Sequence, residues 1–134
     1  MKTLHIMVGL PRSGKSTKAS ELGIPIVSTD AIRLALHGSR WRADSEPMVW
    51  AIAHTMVEAL FLSGHEEVVL DSCNVSARLR REWESIKWNC NFHVINIPKH
   101  ICVQRAVAAG MDDLIPVIER MANSWDVPGM GRDS

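Results

Sequence analysis

The residues Gly9-Leu10-Pro11-Arg12-Ser13-Gly14-Lys15-Ser16 fit the pattern G-x-x-x-x-G-K-[ST], and Thr17 follows them. The chemistry this spacing serves is the holding of a nucleotide polyphosphate. Glycines let the backbone curl so that successive amides point inward at a β-phosphate, and a helix opening at Lys15 adds its unsatisfied N–H groups and positive dipole end. Lys15 can reach the β- and γ-phosphates, and Ser16 can offer its hydroxyl to Mg²⁺.

Other groups gain meaning beside that loop. Asp30 and Arg33 are three apart on a first helical turn and so share one face. Asp30 is placed to take a hydroxyl proton during phosphoryl transfer; read alone, it is a helix N-terminal Asp interacting with its own backbone. Asp71 ends an apolar run, where a carboxylate supports Mg²⁺, orients Arg33, or caps the turn into Asn74. Arg40, Trp41 and Arg42 occupy a polar loop that either lines an acceptor channel, with Trp41 stacking on a base, or is simply solvated. Arg78, Arg80 and Arg81 form a second basic cluster, whose usual meaning is a charged outer helix face. Trp50, Trp83, Trp88 and Trp125 read as core or helix-packing residues.

Bulk properties narrow the class. A chain of 134 residues suits one domain, and 46% hydrophobic against 22% charged residues marks a globular one. Fifteen basic residues balance fifteen acidic ones, so no global field favours nucleic acid and any such attraction must be local. Cys73, Cys90 and Cys102 are odd in number and widely spaced, which suits reduced thiols. The six histidines are scattered and show no protein-built metal site. No signal peptide or membrane span is recognisable, so the cytosol is the expected compartment.

The elements that must position these groups follow from periodicity. Thr3 to Val8 reads as a buried strand, Ser16 to Leu22 as a helix stopped by Gly23 and Pro25, and Ile26-Val27 as a brief strand. A helix starts at Ser28-Thr29-Asp30 and leads to Ile32, Leu34 and Leu36, and 37–46 reads as a loop. From Pro47 to Gly64, Val49, Ile52, Met56 and Leu60 set a helical stripe that Ala51, Ala59 and Phe61 widen. Val68 to Asp71 is a strand, Ser76 caps a helix turning Leu79, Trp83 and Ile86 inward, and Phe92 to Ile97 is a further strand. Helices are expected over 100–109 and about 114–124, separated by a break at Gly110 to Asp113. This alternation predicts an α/β fold, with a parallel sheet of about four strands covered on both faces and its ligands at the strand C-terminal edge.

The combination resembles the kinase domains of the phage-type 5′-hydroxyl polynucleotide kinase family. The matching segments are GLPRSGKST at 9–17, STDAIR at 28–33, DSCNVSARLRREW at 71–83 and, more weakly, IPVIERMANSW at 115–125. The resemblance implies a three-layer P-loop nucleotide kinase-like fold, ATP and Mg²⁺ as cosubstrates, and transfer of the γ-phosphate to an alcohol. It assigns Gly9, Pro11, Arg12, Ser13, Gly14, Lys15, Ser16 and Thr17 to the nucleotide and Ser16 to the metal. Asp30 becomes the general base, Arg33 the ligand of the phosphate beside the acceptor hydroxyl, and Asp71 a neighbour of Arg33 or the metal. A single domain over 1–134 would carry a lid at about 102–113, with Arg105 as its arginine, and a loose tail at about 126–134. Family members commonly read R-N-x-x-R in the lid, whereas this chain has Arg105-Ala106-Val107-Ala108-Ala109. The second arginine is absent, so either Arg120 or an arginine of the 78–81 cluster compensates, or turnover is slow. Three functions stand open: a polynucleotide or nucleotide 5′-hydroxyl kinase, a kinase of a small alcohol such as a sugar, nucleoside or antibiotic, and a nucleotide-binding module with weak ATPase activity.

Overall fold

The computed structural model describes residues 1–38 and 43–126. Along the chain run β1 (Thr3–Val8), α1 (Lys15–Glu21), β2 (Ile26–Ser28), α2 (Thr29–His37), α3 (Glu46–Leu62), β3 (Glu67–Asp71), α4 (Ala77–Arg81), β4 (Asn89–Val94), α5 (Lys99–Ala108) and α6 (Ile115–Asn123). Short 3₁₀ turns at Ala43–Ser45 and Asp112–Leu114 precede α3 and α6. The four strands pair in parallel in the order β2-β3-β1-β4. All their C-terminal ends therefore lie on one edge, which carries Gly9, Thr29 and the tip of β3.

Alternation along the strands sorts the core. Leu4, Ile6 and Val8 of β1 and Val68 and Leu70 of β3 face α3, where Val49, Ala53, Val57, Phe61 and Trp83 complete the main cluster. Met7 and Val69 face the other way, onto Ala19 of α1. A third cluster seals α5 and α6 against Leu10 and Val75 through Cys102, Ala106, Ile118, Ala122 and Trp125. Helices thus cover both faces of the sheet, as the alternation of elements requires. Among the described residues no helix is long and apolar enough to cross a membrane.

The structure corrects three expectations. The buried stripe of α3 is Val49, Ala53, Val57 and Phe61, while Met56, Ala51 and Ala59 are exposed. Because α3 is apolar nearly all round, its sequence does not single out a face. The helix after Asp71 ends at Arg81; Trp83 is buried in the turn beyond it, and Ile86, expected inside, is 99% exposed. Ile86 sits within a tight turn closed by an isolated antiparallel bridge between Ser85 and Trp88. Finally, β4 spans Asn89–Val94 rather than 92–97, in register with β1 from Thr3↔Asn89 to Val8↔Val94. As an edge strand it needs ladder bonds more than apolar side chains, so Asn89 and Asn91 enter it.

Candidate active site

The loop after β1 is shaped by backbone geometry. Gly9 N–H donates to the Cys73 carbonyl at 3.0 Å, tying the loop to the chain just beyond β3. A Cβ at residue 9 would lie 2.7 Å from Ser13 Oγ and 3.1 Å from the Ile95 carbonyl, so only glycine fits without displacing its neighbours. Arg12 and Gly14 adopt left-handed φ values of 66° and 96°, which turn the chain into α1. Pro11, Arg12, Gly14, Lys15, Ser16 and Thr17 line a cleft of about 570 Å³. Gly9 and Ser13 are not on its wall; Ser13 is buried close behind Gly9 and shapes the loop from there.

Lys15 is buried and lines that cleft. Burial pulls its pKa down, but the Cys73 sulfur and the carboxylates of Asp71 and Asp30 outweigh this and hold it above the ordinary lysine range. Burial pushes the Cys73 thiol up against the pull of Lys15, so the charged partner at neutral pH is the lysine. Ser16 Oγ donates to Asp71 Oδ2 at 2.7 Å. Asp71 is thus paired with the serine expected at the metal, a contact the sequence reading did not name.

Asn74, which the sequence left unassigned, holds the β3 tip. It has a left-handed φ of 48°, and its Nδ2 donates to the Met7 carbonyl at 3.0 Å and to Ser72 Oγ at 2.7 Å. Its Oδ1 is buried, without a hydrogen-bond partner among the described residues, in a side chain on the cleft wall. A buried, positively charged lysine on the loop between β1 and α1 fits a polyphosphate, whereas Asn74 Oδ1, an acceptor, suits a donor such as a metal-bound water. Ser16 and Asp71 supply two adjacent oxygens, a set that suits Mg²⁺, which takes few protein ligands and completes its shell with phosphate and water. Among the described residues no group of three or more His, Cys, Asp or Glu could hold a metal.

The opposite wall comes from α2 and α3. Ser28 Oγ, not Asp30, caps α2 by accepting from Ala31 N–H at 3.1 Å. Asp30 instead accepts from Arg33 NH1 at 2.9 Å, and its side chain is 62% exposed on the cleft wall. Arg33 is engaged more deeply than the sequence suggests. Its Nε and NH2 donate to the two carboxylate oxygens of Glu46 at 2.8 and 2.6 Å, and NH1 also reaches Thr29 Oγ1 at 3.3 Å. Burial lowers its pKa, but Glu46 and Asp30 reverse this and raise it. Glu46, Thr29 and Trp50 on this wall were not legible as site residues. Nothing in the spacing ties the first residue of α3 to Arg33. Arg40 and Trp41 lie outside the described residues.

The third wall is α5 to α6. Arg105 NH1 donates to the Arg12 carbonyl at 3.1 Å, linking the expected lid arginine to the phosphate loop. Arg120 lines the same cleft, with Met111, Leu114, Val117 and Met121 forming an apolar strip. Arg78, Arg80 and Arg81 are not on the wall; Arg80 donates to the carbonyls of Asn74 and Asp126 and straps the end of α6 to the β3 tip. Of the expected tail at 126–134, the part beyond Asp126 lies outside the described residues.

A family model described as an AAA domain matches residues 4–112. No curated protein matches the chain. Among solved structures, a chain in the structure of the Pnkp1/Rnl/Hen1 RNA repair complex is similar at 22% identity and TM-score 0.68, over 93% of this chain and 46% of that one. A chain in a second structure of the Pnkp1/Rnl/Hen1 complex is similar at 27% identity and TM-score 0.68, over 78% of this chain and 38% of that one. A gluconokinase from Sinorhizobium meliloti 1021 is similar at 18% identity and TM-score 0.63, over 95% of this chain and 77% of that one. The chain spans less than half the length of the repair-complex chains it matches. The sheet and its helices share the fold of P-loop kinases.

Proposed function

Because the chain belongs to the AAA domain family of P-loop proteins, we propose that it is an ATP-dependent phosphotransferase whose acceptor is an alcohol, foremost the 5′-hydroxyl of a polynucleotide or nucleotide. The observation that carries this reading is the exposed Asp30 carboxylate, fixed on the wall of the same cleft that holds Lys15 and Ser16.

In the proposed step the acceptor oxygen forms a bond to the γ-phosphorus while the bond from that phosphorus to the β,γ-bridging oxygen breaks. The acceptor proton passes to Asp30 and ADP leaves with the electron pair of the broken bond. Lys15 and the loop amides hold the β- and γ-phosphates. Ser16 and Asp71 are the residues that would hold Mg²⁺, whose contribution is neutralising charge between those phosphates. The segment 102–113 acts as the lid, with Arg105 over the phosphates and Arg120 in place of the missing second lid arginine. The cytosol supplies the ATP and keeps the free thiols reduced.

A second reading, a small alcohol acceptor, is favoured by one observation. Arg33 already makes four hydrogen bonds within the protein, which leaves little of its fork for an acceptor phosphate. Screening acceptors with γ-labelled ATP separates the readings. Label on a 5′-hydroxyl oligonucleotide supports the first, and label only on a sugar, nucleoside or antibiotic supports the second. ATP binding with no labelled acceptor leaves only a nucleotide-binding module.

A further inference from the structure

Glu46 belongs to none of the motifs, yet it is the second carboxylate on the acceptor side of the cleft. As the first residue of α3, it presents both oxygens to Arg33 in a two-point fork of 2.8 and 2.6 Å. The far nitrogen of the same guanidinium holds Asp30 Oδ1 at 2.9 Å. The Arg33 side chain is 12% exposed and Glu46 19%, so this pairing is shielded from solvent, whereas Asp30 stands open to the cleft. A planar guanidinium gripped at Nε and NH2 has its plane and direction set, and NH1 can point only where that plane sends it. The orientation of Asp30 is therefore determined from α3, through Arg33.

We propose that Glu46 is a positioning residue for phosphoryl transfer, acting through Arg33 to aim the Asp30 carboxylate at the acceptor hydroxyl. The proposal rests on the transfer reading above. Glu46 acts through Arg33 alone in this proposal, and its removal leaves the guanidinium held only through NH1 by Thr29 and Asp30, able to rotate and carry Asp30 with it. Misplacement of a reacting group by about an ångström costs about 10²-fold in rate. A merely structural Glu46, acting as an acidic residue at a helix start, would change stability and leave kcat alone.

The test uses the full chain as Glu46→Gln, Glu46→Asp, Arg33→Lys and the Glu46→Gln/Arg33→Lys double variant, with the acceptor that the screen identifies. Expected for Glu46→Gln are ATP affinity within about twofold of wild type, little change in acceptor KM, and kcat lower by about 10²-fold. Glu46→Asp, which keeps the charge, should recover part of that loss. The double variant should be no slower than Arg33→Lys alone, because residues acting through one contact are not additive. Wild-type kcat in Glu46→Gln, or losses that multiply in the double variant, would overturn the positioning role while transfer itself stands. Absence of transfer by the wild-type chain to every acceptor overturns the transfer reading and the positioning role together.

Discussion

Lys15 keeps its proton in a place where burial pulls its pKa down, because Cys73, Asp71 and Asp30 together outweigh the loss of water. That balance keeps a positive charge at Lys15 on the cleft wall, beside the carboxylates of Asp71 and Asp30. Arg105 lines the same cleft, anchored on the Arg12 carbonyl rather than on a carboxylate. Its charge is therefore not neutralised by an acidic partner in that contact, which suits the role proposed for it beside a transferring phosphoryl group. Arginines in that role are worth about 10³–10⁵ in rate. With Arg120 on the same wall in its proposed compensating role, Arg105→Ala is expected to lower kcat by about 10³-fold, the bottom of that range. Steady-state kinetics with the identified acceptor measures this. A variant within about tenfold of wild type would remove Arg105 from the transition state.

At the level of elements, the phosphate loop, the start of α2 and the tip of β3 were legible because each depends on local residue types: glycines at 9 and 14, the run Ser28-Thr29-Asp30, and an apolar run ending in Asp71. The displaced β4, the buried stripe of α3 and the Glu46 fork were not, since each depends on which element lies opposite. Val57 is buried and Met56 is not because of where β3 lies, a relation that periodicity in a helix apolar on every side cannot carry. Trp83 shows the same dependence. It leaves its helix yet is fully buried, with His54 of α3 stacked on it at 3.8 Å between ring centroids and Trp50 tilted against it at 6.2 Å. Trp83→Ala should cost about 3–5 kcal/mol, as large buried aromatics do. Its Nε1 is buried without a partner among the described residues, so Trp83→Phe forfeits packing but no hydrogen bond and should cost distinctly less. Denaturant unfolding of both variants checks this, and equal losses would show that packing of the six-membered ring is not what Trp83 contributes.

For the whole molecule, stability should depend on pH through its histidines. Burial, then His5 and Lys18, lower the pKa of His93, and burial lowers that of His54 against the pull of Glu82 and Glu58. Both groups resist protonation when folded, so the unfolded chain binds more protons as pH falls through the imidazole range near about 6.5. Stability is then full above that range and declines below it. His5 Nδ1 and His93 Nε2 are 2.9 Å apart, and Glu67 Oε1 lies 2.9 Å from His5 Nε2; with both rings protonated the first contact would set two N–H donors against each other. The melting temperature should fall between pH 7.5 and pH 5, and fall less in His93→Gln; equal falls would exclude His93 as a source. In the proposed function it is Asp30 that turns a triphosphate-binding cleft into a transfer site. The most direct test is transfer from γ-labelled ATP to an alcohol acceptor by the wild-type chain and by Asp30→Asn, with ATP affinity measured alongside. The account predicts labelled acceptor with wild type, unchanged ATP affinity in the variant, and transfer reduced by about 10²–10⁴-fold, as for loss of a general base. Equal transfer by the two chains would contradict it.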